Sequence, residues 1–165
     1  MAGKSYKPII QSTTALSAIS SFFSEIEELA SECRELVDNV VDNLKNTGRI
    51  QIFDETASVL EGMQEVDAPD DLPDVAGVGL ETFLSITQYV PRPKNGRTSR
   101  AVRCENACIM GRAGIDAVRA YLDAPEFEDP ADELHDLLTE WRDFCVEIEG
   151  YLDEAEGVEF PGMFG

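Results

Sequence analysis

A chain of 165 residues with 33 acidic and 13 basic side chains carries a net charge of −20. That balance argues against broad electrostatic attraction to nucleic acid or to an anionic membrane. An apolar share of 43%, with no apolar run approaching the length of about 18 residues that a membrane-spanning helix needs, argues against a disordered chain and against a transmembrane protein.

The bases are 4 Lys and 9 Arg. Many acids with scarce lysine is a pattern of proteins from high-salt cytoplasm, where salt screens like-charge repulsion. An acidic protein whose charge is itself functional is the alternative. The N-terminal Met1 to Lys7 is basic but lacks an apolar stretch behind it, so no secretory signal is expected. The expected location is the cytoplasm, or a virion after intracellular assembly.

Residues 1–12 read as an extended N-terminal tail containing Pro8, Ile9 and Ile10. Ser12 or Thr13 can then cap a helix. Apolar residues recur at Leu16, Ile19, Phe23, Ile26, Ala30, Cys33, Val37, Val40 and Leu44. The alternating three- and four-residue steps predict one helix from 13 to 46, closed by Gly48. Residues 49–53 suit a strand or the opening of the next helix, and Asp54 is expected to cap a short helix over 55–65. Pro69, Pro73, Gly77 and Gly79 mark an acidic loop over 66–79. Leu80 to Val90 mixes helical and strand signals. Helix is preferred because a strand there has no evident partner.

Pro91 and Pro93 introduce a basic loop. Thr98 or Ser99 opens a long helix with a stripe of Ala101, Cys104, Cys108, Gly111, Ile115, Val118 and Leu122. Gly111 and Gly114 each cost a helix about 1 kcal/mol relative to alanine, which points to close approach of another backbone or to a bend. Asp129 and Pro130 suit the start of a last helix with Leu134, Leu138, Trp141, Cys145, Ile148, Leu152 and Ala155 on one face. Gly157 ends it. The resulting expectation is an all-α antiparallel bundle over 13–157, of three long amphipathic helices plus one or two short ones, with an apolar C-terminal tail over 158–165.

The charge is uneven. Residues 1–91 carry −11, residues 92–119 carry +5 and residues 123–159 carry −14. The basic segment can pack against the chain's own acidic helices, meet an acidic surface of another subunit, or hold phosphate. It lacks interleaved aromatics, so direct nucleic-acid binding is not expected. Arg92, Lys94, Arg97, Arg100 and Arg103 are the candidate electrostatic contacts. Phe160, Met163 and Phe164 are the candidate apolar ones.

Cys33, Cys104, Cys108 and Cys145 all fall on helical stripes and suit core filling. Convergence into a Cys₄ metal or redox site is the alternative, although the spacing is not that of a C-x₂-C motif. The lone His135 has no sequence-evident partner for acid–base work, and no other catalytic constellation is present. Asp67, Asp70, Asp71 and Asp74 read as a solvated loop rather than a calcium site. No enzyme activity and no cofactor are expected. The leading expectation is a structural or assembly subunit that docks with protein partners, a halophilic virion component being one version. An acidic nucleic-acid mimic and a cysteine-based metal or redox bundle are the alternatives.

Overall fold

The computed structural model describes residues 5–44, 47–92 and 96–161. In chain order the elements are β1 (Tyr6–Thr13), α1 (Ala15–Asp38), α2 (Gly48–Glu61), β2 (Leu84–Pro91), α3 (Arg100–Leu122) and α4 (Asp132–Glu156), with single 3₁₀ turns at Asp42–Leu44 and Pro125–Phe127. Helix α3 is central. It packs on α1 along one flank, on α4 along the other, and carries β2 on a third side, while α2 lies against α1. Phe22, Ile26 and Leu29 of α1, Ile115, Val118 and Leu122 of α3, and Trp141, Ile148 and Leu152 of α4 form one buried cluster. Burying each such side chain stabilises the fold by about 1.5–3 kcal/mol.

Two strands correct the all-α expectation: the fold is mostly helical but includes a two-stranded antiparallel sheet. Residues 84–90, expected as helix, are β2, and their partner is the supposed tail, with Tyr6 opposite Pro91 and Thr13 opposite Leu84. Pro8 does not prevent the pairing. The Arg92 N–H donates to the Ser5 carbonyl at 2.8 Å, which makes that pair a hydrogen-bonded one. Alternation then places both Pro8 and Pro91 at positions whose amides point away from the partner strand, where a missing N–H costs nothing in the ladder.

The first helix is also shorter than its apolar stripe. It stops at Asp38 rather than continuing to 46, and spans about 36 Å. Asn39 accepts the role of C-cap. The residues beyond, with β-branched Val40 and Val41 beside Asp42 and Asn43, are poor helix formers. Gly48, expected to terminate that helix, instead begins α2 behind a Thr47 cap. Asp54 therefore lies inside α2. Thr14, rather than Ser12 or Thr13, caps α1, and Ser99 caps α3. Helix α4 begins at Asp132 behind Ala131, not at Pro130, because Pro125–Phe127 forms a separate turn that buries Phe127.

The two glycines of α3 mark the closest helix approach. A Cβ on Gly114 would stand 2.7 Å from the Ala15 carbonyl oxygen and 2.8 Å from Ile19 Cγ1. One on Gly111 would meet Leu152 Cδ2 at 2.7 Å and the Phe22 ring at 3.0 Å. Both glycines are needed for α3 to sit between α1 and α4.

Candidate functional site

The basic segment and the acidic helices meet inside the molecule. From α3, Arg103 reaches across to α1, with Nε 2.6 Å from Glu25, Nη1 2.6 Å from Glu32 and Nη2 3.8 Å from Glu28. Arg100 Nε stands 3.3 Å from the same Glu32. On the opposite flank Arg112 binds Asp153 at 3.2 Å and also Glu156, and Arg119 binds Glu149, all on α4. A parallel clamp joins α1 to α2, where the Arg34 fork holds Asp54 at 2.6 Å and Glu61 at 2.8 Å. Partial burial alone would make the Arg103 guanidinium easier to deprotonate, but its hydrogen bonds to Glu25 and Glu32 outweigh this and raise its pKa. The Arg34 hydrogen bond holds the Glu61 carboxyl below its ordinary pKa. Exposed pairs of this kind are worth up to about 1 kcal/mol each, and networks around a half-buried Arg more.

The candidate contact residues are thus divided. Arg100 and Arg103 are engaged by α1. Arg92 and Arg97 are exposed, beside the end of β2 and just ahead of α3. Tyr6 holds this corner together, since its hydroxyl accepts the Ser99 N–H at 3.0 Å. Phe160 packs on the chain's own core, and the Thr56 hydroxyl donates to the Glu159 carbonyl at 2.7 Å, tying the segment after α4 to α2. Lys94, Met163 and Phe164 lie outside the described residues.

The four cysteines are all buried as free thiols but do not converge into one centre. Among the described residues no three His, Cys, Asp or Glu side chains are grouped to hold a metal ion. Cys33 belongs to a small cluster with Phe53 and Ala57, and burial pushes its pKa up to about 11. Cys145 faces Arg119 and Arg142 from α4, and burial raises its pKa too. Cys104 and Cys108 lie one turn apart on α3, and their mutual influence lowers the first pKa and, together with burial, raises the second. The Cys104 thiol also donates to the Ala155 carbonyl at 3.5 Å. Both line a groove of about 830 Å³ between α3 and the end of α4, whose wall joins apolar Val102, Ile109, Val158 and Phe160 to charged Glu105, Arg112, Asp116 and Glu156.

His135 is exposed on α4. The acidic loop is anchored from beneath: Trp141 Nε1 donates to the Asp70 carbonyl at 2.9 Å, and the Tyr121 hydroxyl lies 2.6 and 3.0 Å from the carbonyls of Pro73 and Val78.

Sequence reasoning missed the sheet and the surface it creates. Ile86 and Gln88 are buried against α3. The carboxamide of Asn106 completes the β2 edge, accepting the Tyr89 N–H at 2.9 Å and donating to the Tyr89 carbonyl at 2.8 Å. Gln88 Nε2 donates to the Asn106 backbone carbonyl at 3.2 Å. The opposite sheet face carries Pro8, Ile10 and Tyr89, with Ile10 68% exposed, and Phe83, directly ahead of β2, is 70% exposed. The alternation of Ile86, Gln88 and Val90 with Ser85, Thr87 and Tyr89 was the available signal. No helix among the described residues is long and apolar enough to cross a membrane. Comparison with known protein families, curated proteins and solved structures returned no match.

Proposed function

We propose that the chain is a non-enzymatic assembly subunit or adaptor that docks with protein partners through the outer face of its sheet. The observation that carries this reading is Ile10, 68% exposed on the outer sheet face beside Pro8 and Tyr89, with Phe83, 70% exposed, directly ahead of β2; among the described residues these are the two most exposed large apolar side chains. Exposed apolar surface of this kind marks contact sites. The exposed Lys7, Arg92 and Arg97 stand at one end of the same sheet and add a basic border. An acidic protein partner, or an acidic face of another copy, complements that border. A virion component from a high-salt host is one concrete form of the proposal.

A second reading is favoured by the inward use of the arginines. With Arg103, Arg112 and Arg119 committed to carboxylates, α4 turns Asp136, Glu140, Asp143 and Glu147 outward. Such a surface suits an inhibitor that imitates nucleic acid. Site-specific photo-cross-linking in the native host separates the two. A photoreactive side chain at 83 or 10 is expected to give discrete protein adducts, and one at 140 none. Adducts at 140 alone would replace the first reading with the second, and silence at 83 and 10 would remove the first.

A further inference from the structure

We propose that, given the docking role proposed above for the outer face of the sheet, its partner is a second copy of the chain. The two copies stack face to face about a two-fold axis, with their strands antiparallel. None of the 33 acidic residues lies in residues 1–24 or 82–104, the stretches that supply both strands. Alternation places only uncharged side chains on the outer face, with Pro8, Ile10 and Tyr89 at its centre. Two bodies of charge −20 repel wherever their carboxylates meet, and contact through this face holds the carboxylates apart.

The two ends of the sheet decide the orientation. Exposed Lys7 and Arg97 stand at the Tyr6–Pro91 end, where the Ser99 N–H donates to the Tyr6 hydroxyl and ties the start of α3 to β1. Exposed Glu81 stands just ahead of β2, at the Thr13–Leu84 end. Val75, Leu80 and Leu84 line one hollow with Ala15 there, which brings the exposed Asp74 to the same end. A two-fold axis along the strands would set the basic ends against each other. An axis across the strands sets Lys7 and Arg97 of each copy over Glu81 and Asp74 of the other. Pro8 disfavours joining the copies edge to edge through β1, because its nitrogen points away from β2 and leaves a gap in the donors of that edge. The face is about 26 Å long and two strands wide, well short of the roughly 800 Å² per partner of a permanent interface, so the dimer is weak and reversible.

Sedimentation velocity of the purified full chain at about 0.15 M salt, up to about 1 mM protein, should show a reversible monomer–dimer equilibrium. I10E puts a carboxylate at the centre of the face and should weaken the dimer at least about tenfold. Ile10 is 68% exposed, so the urea midpoint should not move. K7E/R97E and D74K/E81K should each weaken association, the second although it makes the chain less negative. The four changes together keep the net charge and should restore the dimer. A dimer untouched by I10E, or one tightened by D74K/E81K, overturns the proposal. A purified chain that stays monomeric, while position 10 gives adducts with a different protein in the host, overturns the self-contact and leaves the docking role standing.

Discussion

Replacing Gly114 by alanine sets two effects of opposite sign against each other. Within a helix the substitution is worth about 1 kcal/mol of stabilisation, because glycine loses more backbone freedom on folding. Here the new Cβ would lie 2.7 Å from the Ala15 carbonyl oxygen and 2.8 Å from Ile19 Cγ1. The first of these is backbone, in the opening turn of α1, so relief requires α1 and α3 to separate. Overpacking of this kind costs about 1–3 kcal/mol, and with disruption of the adjoining α1–α3 core the upper end applies. The net expectation for G114A is a loss of about 1–2 kcal/mol. Gly150 is the internal control. It is exposed on α4, nothing lies within 4 Å of its Cβ position, and G150A should gain up to about 1 kcal/mol. Urea unfolding at constant m-value measures both. If G114A is stabilised by the same increment as G150A, the close α1–α3 approach is wrong.

Four further outcomes follow from the contacts. N106A removes both hydrogen bonds to Tyr89 and should cost about 1–3 kcal/mol, seen by thermal unfolding with selective loss of protection in the sheet. R103Q removes the cation that Glu25, Glu28 and Glu32 share, and should lower the melting temperature more in dilute buffer than in molar salt, where the carboxylates repel less. Stability should fall as pH rises above about 9: the unfolded Cys33 thiol loses its proton near 9 while the folded one keeps it to about 11, so the unfolded chain binds fewer protons in that window. C33A should remove that part of the alkaline slope. At the acid end, protonation of Glu61, whose folded pKa is depressed by Arg34, removes stability that is present above its unfolded pKa, and E61Q should flatten that part of the profile.

The helical stripes were legible because burial on one side of a helix imposes a period on the sequence. Ile19, Ile26, Ile115, Ile148 and Leu152 are all core. The glycines were legible for the opposite reason, since Gly111 and Gly114 are costly in a helix unless something presses against them. The sheet was not legible. Its two strands lie far apart in sequence, one contains Pro8, and β2 could be recognised as a strand only through a partner that local pattern does not reveal. The end of α1 was hidden as well, because Val37, Val40 and Leu44 continue the helical spacing past the point where Asn39 ends the helix. For the candidate site, the charge layout announced that the arginines of α3 need carboxylates. The period did not say that α1 and α4 would supply them. Ile10 gave no signal singly, because the face it shares with Pro8 and Tyr89 exists only once β1 and β2 are paired.

Asn106 has a consequence for the order in which the molecule assembles. Pairing β1 with β2 joins residues about 70 to 85 positions apart, and closing so long a loop is entropically expensive before other contacts form. Asn106 can present both its donor and its acceptor to Tyr89 only when α3 is already helical and docked. Helices first and the N-terminal strand last is the expected order, checked by pulse-labelled hydrogen exchange: protection in α1, α3 and α4 should appear before protection in β1. Release of β1 would uncover the β2 edge opposite the one that Asn106 holds, while the contacts of α3 with α1 and α4 do not depend on that pairing.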